Sequence, residues 1–425
     1  MFEVARQHER LGRIAVIEGS VRAEGGSDVP LIVVLARQEG GDAEAPTSWR
    51  LVDYVVRERP GPFWFRVREG RYRVGAYQDL DGDLRFDAGE PAVRLLDQPV
   101  LEVASGETSM SRELVIRAGP GPGPAVATPF DVAEAVDQGA ARANVATLRA
   151  LVVRGEVSAL DAPRFAPELG ARGLWAPADF LQGARPGVYF LEPYRGDRIP
   201  VLFIHGIGST PAVFAPLVAA LDRERFQPWV FFYPSGLPLR DLGKALASLI
   251  AELQLREGFT RLAVVGYSMG GLVARSFVLE WEGLSDRPLV PLFVSIATPF
   301  GGEPRAAGAA EGGSGLPPGT ALPLCFQDLA PSSAFLRELF FVSDGVARPL
   351  PAGTRHHLIF AFRRKPGRTG ASGDGIVELS SQLRPEAQQQ AASLFGVDAN
   401  HVGVLSDPAT AARVNALLAA AFEAP

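Results

Sequence analysis

The segment Arg261-Leu-Ala-Val-Val-Gly-Tyr-Ser-Met-Gly-Gly-Leu-Val-Ala-Arg275 is the most informative part of the sequence. Its apolar β-branched run predicts a strand buried on both faces. A Gly-x-Ser-x-Gly turn follows, and a helical pattern begins directly afterwards. Such a turn exposes a serine hydroxyl at the N-terminus of a helix, so Ser268 is a candidate nucleophile. The alternative is a glycine-rich turn with a passive serine.

A serine hydroxyl needs a base, and the chain has five histidines. In proteins with this turn, an acid and then a histidine follow the serine along the chain. His401 lies in a loop before the last predicted helix, where a base could reach the nucleophile, and is the candidate base. His356 and His357 open a predicted strand, and we interpret them as ordinary strand-edge residues.

The acid that orients the base should follow a strand between Ser268 and His401. Asp374 lies in Gly373-Asp-Gly-Ile-Val, after a predicted strand that ends at Phe362, and is the candidate. Two alternatives are weaker. Asp344 falls inside a long insertion, and Asp398 is close to His401 along the chain.

Acyl transfer through a serine also needs two backbone N–H groups directed at the developing oxyanion. The residue after the nucleophile, Met269, supplies one candidate. The loop His205-Gly-Ile-Gly after the first buried strand supplies the other, and we predict Ile207. His205 itself is predicted to hold this loop through backbone hydrogen bonds.

Five motifs occur in a fixed order: His205-Gly-Ile-Gly, Gly266-Tyr-Ser-Met-Gly-Gly, Ala297-Thr-Pro-Phe-Gly-Gly, Asp374-Gly-Ile-Val and His401-Val-Gly-Val-Leu. Together they resemble α/β-hydrolase-fold serine lipases and esterases. Among these they are similar to the branch of bacterial lipases, phospholipid acyltransferases and GPI-inositol deacylases. The resemblance covers about residues 199–422 and implies the same triad. Phe300 departs from it, because many relatives have histidine there.

The chain is expected to fold as an α/β-hydrolase domain with a lid-like insertion, preceded by an all-β sandwich. About seven short strands predict the sandwich over residues 1–118. Within it, the segment from Phe63 to Pro91, with its Glu-Gly-Arg-Tyr-Arg-Val strand and Asp-rich turn, resembles prealbumin-like or carboxypeptidase-regulatory-like modules. A Gly/Pro linker is predicted at 119–125 and a helical and irregular connector at 126–190. Alternating strands and helices predict the hydrolase domain at 191–425, with the cap insertion at about 300–350.

Composition limits the possible partners of this 425-residue chain. Its net charge of −6 argues against a surface for nucleic acid. The single cysteine, Cys325, excludes an internal disulfide framework. The sequence contains no apolar run long enough for a transmembrane helix, and its N-terminus does not resemble a signal peptide. Localisation stays open, including attachment to a cell envelope, as does the oligomeric state.

Five acidic residues have the spacing of a calcium-binding loop: Asp79, Asp81, Asp83, Asp87 and Glu90. Leu84 occupies the position where such loops have glycine, and the flanking segments are predicted strands rather than helices. A polar hairpin turn is the alternative interpretation. We predict no catalytic metal and no cofactor.

The sequence therefore predicts a carboxylic ester hydrolase that acts on a small-molecule or lipid ester through a Ser-His-Asp triad and an acyl-enzyme. An acyltransferase would use the same residues, with an alcohol in place of water. A non-catalytic binding protein is the other alternative. Apolar residues between Leu322 and Val342 could contact an acyl group or form the core of a cap.

Overall fold

The computed structural model describes residues 2–24, 29–45, 48–87, 89–117, 152–285, 288–306, 322–363 and 373–423. The predicted linker at 119–125 and the first part of the predicted connector lie outside these ranges. Part of the predicted cap insertion, residues 307–321, also lies outside them.

The N-terminal part of the chain begins with a helix and continues in short strands. The helix α1 spans Phe2–Gly12. The strands are β1 (Ala15–Ala23), β2 (Leu31–Gln38), β3 (Trp49–Arg57), β4 (Gly61–Val67), β5 (Gly70–Gln78), β6 (Ala92–Val93), β7 (Leu101–Val103), β8 (Thr108–Met110) and β9 (Leu114–Ile116). The helix was not predicted from the sequence.

These strands form two sheets that face each other. One has the order β4-β1-β8, with β9 also paired to β1, and the other has the order β3-β2-β5-β6, with β7 also paired to β5. Alternate residues of both sheets enter one core, which includes Ile17 and Phe65 from the first sheet and Val33 and Val74 from the second. This alternation is what an all-β sandwich requires.

A sheet of eight strands follows, in the order β10-β11-β13-β12-β14-β15-β18-β19. The strands β10 and β11 run parallel to each other and antiparallel to the other six. The strands are β10 (Val153–Val157), β11 (Gly187–Phe190), β12 (Ile199–Ile204), β13 (Phe226–Phe232), β14 (Ala263–Tyr267), β15 (Leu292–Ile296), β18 (Arg355–Phe362) and β19 (Ala391–Asp398). A separate hairpin is formed by β16 (Phe341–Ser343) and β17 (Val346–Ala347).

Helices cover both faces of the eight-stranded sheet, so its strands are rich in buried apolar residues. They are α2 (Pro167–Trp175), α3 (Pro177–Gly183), α4 (Ala215–Ala220), α5 (Leu239–Glu257), α6 (Met269–Leu284), α7 (Cys325–Leu329), α8 (Ala334–Glu338), α9 (Leu379–Gln382), α10 (Pro385–Gln390) and α11 (Pro408–Ala421). The long helices α5 and α6 pack on one face, and α4 and α11 pack on the other.

The eight-stranded sheet begins earlier than the sequence predicts. Both β10 and β11 lie in the segment 126–190 that we predicted as a connector, yet they form one edge of this sheet. The short apolar run of β11 and the Gly-containing β10 gave no strong strand signal by themselves. The pairing of β11 with β13, and of β10 with β11, is what fixes them as part of the sheet.

The sandwich packs directly against the eight-stranded unit. The Tyr54 hydroxyl, from β3, donates to Oε2 of Glu252 in α5 at 2.8 Å. The same carboxylate oxygen accepts from Arg154 Nε at 2.5 Å, and both charged side chains are nearly inaccessible to solvent. At a second contact, Gln7 of α1 donates to Asp179 of α3 at 2.8 Å. The sandwich is therefore docked, and not only tethered.

Within the described residues, none of the helices combines the length and the apolar character needed to cross a membrane.

Candidate active site

Ser268 occupies the turn between β14 and α6 in a rarely populated backbone conformation. Its φ is +54° and its ψ is −131°, a region that residues other than glycine seldom adopt. The Ser268 amide donates to the carbonyl of Ile296 at 2.8 Å, which ties the turn to the neighbouring strand β15. The side chain is presented at the carboxyl end of the sheet, as the Gly-x-Ser-x-Gly pattern predicts.

Two glycines allow the strand, the turn and the helix to approach this closely. A Cβ atom on Gly266 would lie 2.6 Å from the Cα of Gly271. A Cβ atom on Gly270 would lie 2.1 Å from the carbonyl oxygen of Ile204 in β12. Both distances are far below van der Waals contact, so any larger residue would displace the turn that holds Ser268.

The three predicted catalytic side chains lie in one hydrogen-bonded row. His401 Nε2 is 2.9 Å from Ser268 Oγ. His401 Nδ1 is 2.7 Å from Oδ2 of Asp374. All three residues are buried. A carboxylate at Nδ1 favours the tautomer with its proton on Nδ1, which leaves Nε2 free to accept the serine proton.

Asp374 is held by its own loop and by a residue that sequence reasoning missed. Its Oδ1 accepts the backbone N–H groups of Ile376 at 2.9 Å and Val377 at 2.8 Å. Gln382 Nε2 donates to Oδ2 at 3.2 Å, and its Oε1 accepts the N–H of Ala361 at 2.8 Å. Gln382 thus connects the acid to β18. A single glutamine in a short polar helix carries no sequence signal for this role.

Tyr267 is a second residue that the sequence did not indicate. Its hydroxyl donates to the carbonyl oxygen of His401 at 3.0 Å, and the two rings are 5.2 Å apart. Burial raises the pKa of Tyr267, and the nearby Asp374 carboxylate raises it further. The hydroxyl therefore stays protonated and can donate. The backbone N–H of His401 also donates to the backbone carbonyl oxygen of Asp374 at 3.1 Å. The loop that contains His401 is therefore held from two sides.

The two predicted oxyanion donors belong to two segments that lie next to Ser268. Met269 is the first residue of α6, and an N–H in the first helical turn has no partner within the helix. Ile207 lies in the loop after β12. A Cβ atom on the adjacent Gly206 would be 3.0 Å from Ser268 Cβ, so this loop passes directly beside Ser268. Gly208 N–H donates to Ser235 Oγ at 2.9 Å and fixes the loop.

His205 contacts backbone rather than the triad, as predicted. Its Nδ1 is 2.9 Å from the Gly206 carbonyl oxygen, and its ring stacks on Tyr233 with centroids 4.2 Å apart. Burial lowers the pKa of His205 to about 4. The imidazole is therefore neutral at physiological pH and acts as a packing element of the loop.

His356 and His357 lie at the start of β18, as predicted, but His356 is buried and not at an exposed edge. The side chain is fully buried under α6, because β18 lies in the interior of the sheet between β15 and β19. Its Nε2 is 2.8 Å from Ser295 Oγ, and its ring stacks on Phe293. Burial lowers the pKa of His356 well below its ordinary value. His357 pairs instead with Ser393, at 2.7 Å.

The alternative acids are not the partner of His401. Asp344 is exposed in the turn between β16 and β17, and Asp398 is exposed at the end of β19. Both lack the buried surroundings of Asp374, which already occupies Nδ1 of the histidine.

Most apolar residues of the cap segment belong to the core. Phe335, Leu336, Leu339 and Phe340 are buried in the same core as α6. Arg275 of α6 donates from Nε to the Leu339 carbonyl at 3.0 Å, and its guanidinium lies over the Phe340 ring. These side chains therefore hold the cap onto the helix that follows Ser268. Val342 is exposed.

The acidic loop after β5 is held largely by its own carboxylates. Asp79 accepts the N–H groups of Gly82 at 2.9 Å and Leu84 at 3.1 Å. Glu90 accepts those of Leu80 at 2.7 Å and Asp87 at 3.0 Å. Burial raises the pKa of both Asp79 and Glu90. Carboxylate oxygens of Asp79, Asp81 and Asp83 lie within 4.8 Å of one another, and the calcium and hairpin-turn interpretations both stay predictions.

A family model and several solved structures resemble this chain. The model, described as an alpha/beta hydrolase of unknown function (DUF915), matches residues 239–311, which include α5, Ser268 and α6. The mature lipase BlEst2 of Bacillus licheniformis has 16% identity, with 54% of this chain and 97% of that chain covered and a TM-score of 0.42. A gene product of Listeria innocua has 19% identity, 52% and 94% coverage and a TM-score of 0.39.

A third solved structure is the N-acyl homoserine lactonase AidH complexed with N-butanoyl homoserine. It has 14% identity, with 56% of this chain and 94% of that chain covered and a TM-score of 0.36. The order of the eight-stranded sheet, the strand-turn-helix around Ser268 and the match to the family model agree with one another. Residues 153–422 therefore have the α/β-hydrolase fold, preceded by an all-β sandwich.

Proposed function

We propose that the chain is a serine hydrolase that cleaves carboxylic esters through a covalent acyl-enzyme. The observation that carries this proposal is the pair of short contacts at His401, 2.9 Å to Ser268 Oγ and 2.7 Å to Asp374 Oδ2. A nucleophile, a base and an orienting acid in contact form the arrangement that activates a serine hydroxyl.

In the first half-reaction, Ser268 Oγ attacks the ester carbonyl carbon while its proton moves to Nε2 of His401. The carbonyl oxygen becomes an oxyanion and accepts hydrogen bonds from the N–H groups of Met269 and Ile207. The imidazolium, stabilised by Asp374, then gives its proton to the alkoxy oxygen, and the C–O bond breaks. The products of this step are a free alcohol and the acyl-Ser268 ester.

In the second half-reaction, water replaces the alcohol. His401 takes a proton from the water as its oxygen attacks the acyl carbon, and returns that proton to Ser268 Oγ as the acid departs. An alcohol acceptor in place of water would give transfer to a new ester with the same residues.

Hydrolysis of p-nitrophenyl esters of graded chain length tests the proposal. We expect Ser268→Ala to lower kcat by about 10⁶-fold, the effect of removing such a nucleophile in other serine hydrolases. Ser276→Ala makes the same chemical change two turns further along α6 and is the matched control, with kcat within about twofold of the parent. A fluorophosphonate probe should label the parent at Ser268.

Retained ester hydrolysis in Ser268→Ala would overturn the assignment of the nucleophile. Failure of every ester together with failure of the fluorophosphonate to label Ser268 would favour the non-catalytic alternative. Adding a primary alcohol separates hydrolysis from transfer, since an acyltransferase would form the new ester faster than the free acid.

A further inference from the structure

Three basic side chains lie together on the α11 face of the eight-stranded sheet, near the first residues of β18 and β19. His357 of β18 has its Nδ1 2.7 Å from Oγ of Ser393 in β19. Arg413 of α11 donates from Nη2 to the same oxygen at 2.9 Å. Arg355 precedes His357 by two residues, so its side chain lies on the same face of β18. We call Arg355, His357, Ser393 and Arg413 the basic cluster.

Among the residues that the structure describes, no carboxylate forms an ion pair with either arginine of the basic cluster. The sequences of β18 and α11 contain no Asp or Glu. The single acidic residue of β19, Asp398, lies five residues beyond Ser393, or about 16 Å along the strand. In a chain with a net charge of −6, two arginines without a counter-charge beside one imidazole indicate that the counter-charge comes from outside the chain.

The basic cluster has N–H groups to offer to an anion. Because Arg413 already donates to Ser393 Oγ, the serine hydroxyl can donate its own proton to Nδ1 of His357. The neutral imidazole then carries its proton on Nε2, which makes no hydrogen bond within the described ranges.

Both guanidinium groups lie near this imidazole and within reach of solvent. The pKa of His357 is lowered, first by burial and then by the charges of Arg355 and Arg413. Arg355 is exposed and Arg413 is half-buried, so a dissolved anion can approach both side chains.

We propose that the basic cluster binds a phosphate group, held by the guanidinium groups of Arg355 and Arg413 and by the Nε2–H of His357. Guanidinium N–H groups match the spacing of phosphate oxygens and form charge-assisted hydrogen bonds with them. A tetrahedral phosphate has oxygens in several directions, as donors on three side chains require, whereas a planar carboxylate has only two. The basic cluster shares no residue with the site around Ser268, so the inference does not depend on the proposed function.

Titration of the full chain with inorganic phosphate at constant ionic strength, followed by calorimetry, tests the proposal. We expect saturable one-to-one binding. Arg355→Gln and Arg413→Gln should each weaken it about tenfold, because each variant loses a charge-assisted hydrogen bond to a phosphate oxygen. Arg112→Gln removes an exposed arginine of the sandwich and is the matched control, with an affinity within about twofold of the parent.

The phosphate group can belong to a small soluble ester or to a lipid headgroup, and two further probes separate these sources. For a soluble ester, glycerol 3-phosphate should bind at least as tightly as inorganic phosphate, and phosphatidylcholine vesicles that contain phosphatidic acid should not sediment the chain. For a headgroup, those vesicles should sediment the parent but not the double variant Arg355→Gln/Arg413→Gln. Vesicles of phosphatidylcholine alone are the control.

Absence of saturable binding of inorganic phosphate to the parent chain would overturn the proposal. Equal affinity in the parent, Arg355→Gln and Arg413→Gln would also overturn it, because the phosphate would then occupy another site. Should Arg413→Gln fail to fold, Arg355→Gln at its exposed position still decides the question. None of these results depends on whether Ser268 is catalytic, so this proposal and the proposed function can fail separately.

Discussion

In two acidic loops of this molecule an aspartate carboxylate accepts backbone N–H groups of its own turn, but the two carboxylates differ in their other partners. In the loop after β18, Asp374 holds its backbone with Oδ1 alone and leaves Oδ2 for His401 and Gln382. In the loop after β5, Asp79 uses both carboxylate oxygens to accept N–H groups of its own turn. In the first loop one oxygen is available to a distant residue, and in the second both are committed locally.

The difference shows how the proposed catalytic acid is distinguished from a structural one. Both loops have glycines, a buried aspartate and Asx-type hydrogen bonds, so local sequence hardly separates them. The distinguishing feature is a carboxylate oxygen that meets a titratable group 27 residues away. That contact depends on the tertiary fold, which brings the end of β18 beside the end of β19.

Replacing each aspartate by asparagine tests this contrast most strongly. Asp374→Asn should lower kcat about 10⁴-fold, because the amide can donate to His401 Nδ1 and so favours the wrong tautomer. Asp79→Asn should leave kcat within about twofold of the parent. The kcat for ester hydrolysis, measured on the two variants side by side, tests this difference. An equal loss of kcat in both variants would contradict the distinction between the two aspartates.

Truncating the structural acid should instead affect stability. Asp79→Ala leaves the N–H groups of Gly82 and Leu84 without their acceptor, which should cost about 2–4 kcal/mol of unfolding free energy. Urea denaturation in EDTA measures this without a contribution from any divalent cation. Asp374→Ala is the matched variant, and we expect its loss of activity to be far larger relative to its loss of stability.

Buried histidines predict how the stability of the fold depends on pH. His401 has a carboxylate partner, whereas burial lowers the pKa of His205 to about 4. Between its ordinary pKa near 6.5 and that value, the unfolded chain binds a proton that the folded chain excludes. His205 should therefore reduce stability as pH falls from about 6.5 to about 4, by up to about 1.4 kcal/mol per pH unit.

Urea denaturation at pH 7, 6 and 5 measures this slope. His356 contributes in the same direction, since burial lowers its pKa as well. His356→Leu should therefore unfold with a shallower pH dependence than the parent. A parent chain whose stability does not fall over this interval would contradict the assignment of neutral, buried histidines.

The sequence predicted those parts of the site that require unusual residues. The turn at Ser268 needs glycine at 266 and 270 for steric reasons, and such a requirement can be recognised in a single sequence. The order of Ser268, Asp374 and His401 then restricted the choice of acid and base. Most strands were also predicted, because their apolar runs are bounded by Gly, Pro and Asp.

Apart from the helix α1, the features that escaped prediction depend on contacts between residues that are separated along the chain. Gln382 is an ordinary polar residue until the fold places it beside Asp374. The strand β11 is a short apolar run whose partner, β13, fixes its place in the sheet. The docking of the sandwich depends on Tyr54 and Glu252, which are 198 residues apart. Local propensity carries no information about such pairs.

The backbone of Ser268 also has an evolutionary consequence. A φ of +54° with a ψ of −131° is costly for serine and nearly free for glycine, by about 1–3 kcal/mol. Ser268→Gly should therefore raise the melting temperature while abolishing ester hydrolysis, a result that calorimetry and the ester assay check together. Substitution to glycine at this position would therefore be opposed by selection for activity and not by selection for stability.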